Sequence, residues 1–113
     1  MDKSRISIEE FSKIEVKVGT VRSAERVPET DKLLRLLVDF GEERGPRQIV
    51  SGIAAYVPDA AALVDRQLAF VVNLEPRTIR GLESDGMLFA VGVGDSFAFL
   101  VPDRVVPPGT SAH

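Results

Sequence analysis

An all-β chain closed into a small five-stranded barrel is the fold that this sequence predicts. Three observations carry it. Apolar and polar residues alternate with a period of two along Ile14–Val21 and Leu34–Phe40; clusters of glycine, proline and aspartate separate short apolar runs; and the only helical signals are brief. With 113 residues there is room for one domain, read here as 1–113, and not for two with separate cores.

Ser7 followed by Glu10 is a capping box, and Ile6 can pack on Phe11 as a hydrophobic staple, so a short helix is expected over Ile8–Lys13. Ile14, Val16 and Val18 alternate with Glu15 and Lys17, and the phase changes at Gly19 before resuming through Val21. That predicts a long first strand with a bulge or sharp bend at Gly19, as a small barrel needs where a strand passes from one side to the other. After the turn-rich segment Pro28–Asp31, Leu34, Leu36, Val38 and Phe40 alternate with Arg35, Leu37 and Asp39, the clearest half-buried strand in the chain. Gly41–Gly45 is a polar hairpin connection, and Arg47–Ser51 returns as the third strand.

Asp59 is placed to cap a short helix over Ala60–Val64. Leu68–Leu74 is apolar enough for a fourth strand buried on both sides. Pro76–Gly81 reads as a basic loop, Met87–Val91 and Phe97–Val101 as two further strands turned by Gly92, Gly94 and Asp95, and the segment with Pro102, Pro107, Pro108 and Gly109 as an irregular tail. Antiparallel strands with a short helix between the third and fourth are the plan of the oligonucleotide-binding (OB) Greek-key barrel, whose second and third strands and neighbouring loops commonly carry ligand. The barrel is expected over about residues 8–101, with flanking segments 1–13 and 102–113.

Composition narrows the function. Apolar residues make up 44% and charged residues 27%, the balance of an ordinary soluble domain. No apolar run reaches membrane-span length and no export signal opens the chain, so a cytoplasmic address is expected. There is no cysteine, and the single histidine is His113. Thiolate metal sites, disulfides and a histidine-activated nucleophile are therefore all excluded, and neither a cofactor nor a catalytic role is expected. Ser51-Gly52 consequently lacks the base that a nucleophile needs, and the pairs Glu9-Glu10 and Glu42-Glu43 read as helix-start and hairpin charges. A net charge of −3 argues against an indiscriminately basic nucleic-acid binder and leaves room for a local patch. One tyrosine and six phenylalanines supply too few rings for serial base stacking.

Lys32, Arg35, Arg47, Arg77 and Arg80 lie on elements that an OB barrel would bring together, where they can pair with phosphates or stack on bases. The same residues also read as solvated charges beside Asp31, Asp39, Glu42 and Glu43. Ser84 can donate to a phosphate or 2′-hydroxyl, or cap a turn; Met87 can pack on a sugar or base, or fill core; Asn73 can bond RNA, or satisfy backbone beside a bent strand.

Three segments, DKLLRLLVDFG at Asp31–Gly41, RQIVSGIAAYV at Arg47–Val57 and NLEPRTIRGLESDGML at Asn73–Leu88, resemble the tRNA-binding domain found as a free-standing dimer, as an appendage of methionyl-tRNA synthetases, at the head of the bacterial phenylalanyl-tRNA synthetase β subunit and in eukaryotic synthetase cofactors. The match runs from about Ile8 to Leu100. The resemblance implies a non-catalytic binder of folded tRNA that reads shape and phosphate backbone, with Lys32, Arg35, Arg47, Ser51, Asn73, Arg77, Arg80, Ser84 and Met87 as its candidate RNA contacts. It also implies a homodimer, with Ile6–Phe11 and Pro102–Thr110 as interface candidates. The CsaA-like export chaperones share the barrel and dimerise but generally lack the GLESDGM pattern. A peptide-holding chaperone, or a trans-acting module that docks on an aminoacyl-tRNA synthetase, is thus the competing reading. The chain departs from the family at Glu75, where a lysine is frequent, and at Thr78, where another basic residue is frequent; both weaken the local positive field.

Overall fold

The computed structural model describes residues 2–113. Its first element is a single helical turn, α1 (Ile8–Phe11). Ser7 accepts from the Glu10 N–H at 3.1 Å and Glu10 reaches back to the Ser7 N–H at 3.4 Å, so the capping box is present. The helix stops two residues short of the expected Lys13. Ile6 and Phe11 are both more than half exposed, so no tertiary packing prolongs it.

The long strand β1 (Val16–Arg26) organises the sheet. Its first half, Val16–Thr20, pairs antiparallel with β4 (Gln67–Val71), and its second half, from Thr20 onward, pairs with β2 (Leu34–Asp39). Thr20 is the handover residue, opposite both Gln67 and Asp39. Gly19 precedes it because a Cβ there would collide with Val38 and Phe40. The bulge itself lies at Arg22 and not at Gly19: the register runs Val21 with Val38 and then Ser23 with Leu37. The extra residue turns its guanidinium to Asp39 at 3.0 Å and Asp65 at 3.6 Å.

Along β2 the alternation is as expected: Leu34, Leu36 and Val38 are buried, while Arg35, Leu37 and Asp39 are only partly covered. β3 (Arg47–Ser51) pairs with β2, completing the path β3-β2-β1-β4. The helix expected between β3 and β4 is replaced by two 3₁₀ turns, Ala54–Tyr56 and Ala60–Leu63, the second capped by Asp59 accepting from Ala61 at 3.1 Å. Each run is a single turn, too short to close an α-helical ladder.

The segment expected as a basic loop is a hairpin, β5 (Arg77–Ile79) and β6 (Leu82–Ser84). Its two-residue turn has φ of 52° at Arg80 and 79° at Gly81, the left-handed pair that matches the twist of a tight hairpin. β7 (Met87–Leu88) then pairs with β4, and β8 (Ala90–Val91) with β9 (Ala98–Phe99). The strand expected over Met87–Val91 is thus broken at Phe89, whose N–H turns to Ala69 O at 3.0 Å. Tyr56 stacks on Phe97 at 4.1 Å and accepts from the Gly94 N–H at 3.1 Å, pinning the β8–β9 connection to the barrel.

The proline-rich segment is not irregular throughout. Gly109 N–H donates to Val18 O at 2.8 Å, Thr110 O accepts from Val18, and β10 (Ser111–Ala112) pairs with the start of β1. The barrel closes between β3 and the β6–β7 segment through Asp85 N–H to Gln48 O at 2.9 Å and Val50 N–H to Ser84 Oγ at 3.0 Å. Inside lie Val21, Leu34, Leu36, Val38, Phe40, Ile49, Leu63, Leu68 and Phe70, with Phe40 and Phe70 edge to face at 5.5 Å. The result is an all-β, nearly closed barrel of the OB type.

Candidate nucleic-acid interface

A row of residues crosses the outer side of the barrel. Arg35 on β2 stands opposite Val50 on β3; Val50 donates to Ser84 on β6; Ser84 stands opposite Arg77 on β5. The hairpin therefore carries Arg77 and Arg80 alongside the second and third strands. At one end, Lys32 and Arg80 line a groove of about 340 Å³ together with Asp31, Leu33 and Ile79. Lys32, Arg77 and Arg80 are exposed, and among the described residues none of the three forms an ion pair.

Arg35 is more constrained. Its Nε donates to Gln48 at 2.6 Å and its Nη1 to Glu25 at 2.6 Å, while Gln48 in turn donates to Glu83 O at 2.8 Å. The guanidinium is thereby held in place and linked through Gln48 to the backbone of the hairpin. Gln48 was not among the residues expected at the site, although its place in RQIVSG was the available signal. Ser51 ends β3 opposite Leu34 and is partly exposed.

The remaining polar candidates are bonded within the protein. Arg47, with a side chain only 11% exposed, donates twice to Glu42 at 2.8 Å and once to Val72 O at 2.8 Å, and its guanidinium lies 5.3 Å from the Phe40 ring. The Arg47 hydrogen bonds, opposed in part by burial, hold the Glu42 carboxyl at about 2, below its ordinary value of 4.5. Asn73 accepts from the Glu15 N–H at 2.8 Å and donates to Lys13 O at 2.6 Å, tying the chain after α1 to the end of β4. Ser84 is buried, accepts from Val50 and donates to Gly86 O at 3.1 Å. Met87 is 45% exposed beside the hairpin, which corrects its reading as core filler: β7 leaves it outside.

The arrangement can present cations and polar groups to an extended anionic ligand. It offers positioning contacts of the kind made to phosphate and sugar. Among the described residues, no cluster of three or more His, Asp or Glu side chains is arranged to hold a metal ion.

Residues 16–111 match the family model described as "Putative tRNA binding domain". The chain is 51% identical over 105 residues to the methionine–tRNA ligase of Methanosphaerula palustris, an alignment that covers 93% of this chain and 15% of the ligase. It therefore spans about 15% of the length of that relative. Among solved structures, a MetRS-related protein from Pyrococcus horikoshii superposes with a TM-score of 0.88 at 37% identity, covering 98% of this chain and all of the other. The chaperone CsaA of Bacillus anthracis superposes with a TM-score of 0.82 at 28% identity, covering 97% and 100%. A barrel with a cationic hairpin beside its second and third strands, and a family match over nearly its whole length, lead to one assignment: this chain belongs to the tRNA-binding domain family.

Proposed function

We propose that the chain grips folded tRNA through phosphate and sugar contacts from Lys32, Arg35, Arg77 and Arg80, assisted by Ser51 and Met87, and performs no chemistry itself. Arg47, Ser84 and Asn73 serve this surface by fixing the barrel wall and the strand ends around it. The observation that carries the reading is the hairpin that sets Arg77 and Arg80 beside Arg35 without acidic partners of their own. Binding takes place in the cytoplasm, with an aminoacyl-tRNA synthetase as the functional associate.

The test is a polarisation titration of folded tRNA against an unstructured RNA of equal length, repeated across salt. If about four phosphates are contacted across a dimer, log affinity falls against log salt with a slope of about −3.6, roughly a hundredfold between about 50 and 200 mM. Equal affinity for the two RNAs, or a flat salt response, overturns the reading. Turnover of a nucleotide or ester that copurifies strictly with the protein overturns the non-catalytic part.

The dimer belongs to the same proposal. Val16, Val18, Ala69, Phe89, Val101 and Ala112 line an apolar groove of about 260 Å³ on the outer side of β1 and β4, and Phe89 and Val101 are 44% and 53% exposed. The exposed Ile6, and Ile8 and Phe11 of α1, add to the apolar surface. A second copy covering this face makes an isologous pair. A monomer mass by light scattering at micromolar concentration overturns it. The groove is also the feature that favours the competing chaperone reading, in which an unfolded peptide occupies it; competition between peptide and self-association separates the two.

A further inference from the structure

We propose that the depression beneath the β5–β6 hairpin is a subsite for one unpaired guanine of the bound RNA, read by the carboxylate of Glu75. The inference rests on the RNA-binding role above and adds a base to a contact set that otherwise touches only backbone. Val50, Leu74, Ile79 and Met87 give the depression apolar walls, with Glu75 and Arg77 at its rim. Its enclosed part is only about 50 Å³, so it admits the edge of a ring and leaves the ring face against Leu74 and Met87, each 45% exposed. Neither Glu75 nor Arg77 forms an ion pair among the described residues, although both are exposed and only two residues apart.

A carboxylate is an acceptor with no donor of its own. Sharing the depression with Arg77, it repels the phosphate that Arg77 attracts, unless the RNA meets it with N–H groups. Guanine is the base that offers two adjacent N–H donors, N1–H and N2–H, on its Watson–Crick edge, matching the two oxygens of one carboxylate. Uracil has a single N–H between two carbonyls. Cytosine and adenine place an amino group next to an unprotonated ring nitrogen, whose lone pair would face the second oxygen. That edge is accessible only in an unpaired, splayed nucleotide, the state in which RNA bases are generally read by proteins. Arg77 then takes the phosphate of the same nucleotide.

The experiment is competition against labelled folded tRNA. The competitors are a stem-loop RNA with uridines and one guanine in its loop, its copies with inosine or adenine at that position, and the all-uridine loop. Inosine keeps N1–H and O6 and removes only the N2 amino group. For the unaltered protein the guanine loop is expected to compete about fivefold better than the inosine and adenine copies, the size of a lost base-edge hydrogen bond. In Glu75→Gln the preference shrinks to within about twofold, while affinity for the all-uridine loop holds or rises as a negative charge is lost. Guanine and inosine competing equally, a guanine preference that survives Glu75→Gln, or stem-loops that do not compete at all each overturn the guanine subsite and leave tRNA binding in place. Failure of the tRNA-binding reading shows separately, as absent binding of the labelled tRNA before any competitor is added.

Discussion

Arg47, Asn73 and Ser84 differ from Lys32, Arg77 and Arg80 in what their polar atoms already hold, although four of the six lie together in Asn73–Leu88. In the first set every named group reaches across the fold: Arg47 to Glu42 and the Val72 carbonyl, Asn73 to Lys13 and Glu15, Ser84 to Val50 and Gly86. In the second set the side chains stand at turns or on a short exposed strand with no ion-pair partner among the described residues. Removing a side chain that is bonded across the fold leaves its partners unsatisfied and costs stability, whereas an exposed cation exchanges water for a ligand at little structural cost. The two sets therefore separate when stability and RNA affinity are measured on the same variants.

Arg47→Ala makes the largest difference. It removes the bidentate partner of Glu42, leaving only Arg44 at 3.4 Å, and a donor to Val72 O, and should lower unfolding free energy by about 2–4 kcal/mol in a urea titration, with the salt slope of tRNA binding per folded molecule unchanged. A flattened slope would move Arg47 into the RNA-contacting set and break the comparison. Ser84→Ala strands the buried Val50 N–H and should cost about 1–3 kcal/mol, again with tRNA affinity retained by the folded fraction.

The Glu42–Arg47 pair also predicts a pH effect. Because the folded-state carboxyl titrates at about 2 against 4.5 ordinarily, the stabilisation is complete above about pH 4.5 and is lost as pH falls from there through 2. Denaturation at successive pH values should show this loss in the unaltered protein and not in Glu42→Gln, with an amplitude of about 3 kcal/mol. Identical pH dependence in the two proteins would remove Glu42 from the account.

Arg77→Ala and Arg80→Ala should leave stability within about 0.5 kcal/mol. Each should weaken every tRNA to a similar degree, about tenfold, and flatten the salt slope by about one to two units for a dimer. Losses that differ between tRNAs would mean that these arginines read bases. The smallest effect belongs to Arg104→Ala. Its guanidinium lies 3.5 Å from Asp103 with both side chains at least 80% exposed, and removing it should change neither stability nor affinity measurably. An effect there, with Arg77→Ala and Arg80→Ala silent, would mean that RNA lies on a different face of the barrel.

Local signals were legible in the sequence, and partners distant along the chain were not. The alternation through Leu34–Phe40, the Ser7–Glu10 box and the Asp59 cap each involve residues within a few positions, and each appears in the structure. The β5–β6 hairpin escaped detection because three-residue strands carry almost no periodicity, and Arg80-Gly81 is not the asparagine–glycine pair that announces such turns. The return of residues 109–112 to β1 escaped because prolines and glycine read as irregular, although Gly109 sits where a Cβ would strike the Phe40 carbonyl. Arg22 and Gly19 show the limit within one strand: the phase change marked that β1 departs from regularity, but the bulge followed the ion pairs of Arg22. At the site, residue types pointed to cations and polar groups, while Val50, 34 positions from Ser84, settles what the Ser84 hydroxyl is bonded to.

The pairing of Val16 with Ala112 has a topological consequence. The chain enters its sheet and leaves it at adjoining positions on one ladder, so the fold is nearly a ring with a seam between β1 and β10. Joining the two sides of that seam by a short linker and reopening the backbone at the solvent-facing β8–β9 tip, where Val93 is 76% exposed, gives a circular permutant that keeps every barrel strand. The permutation leaves the strand order β3-β2-β1-β4 undisturbed.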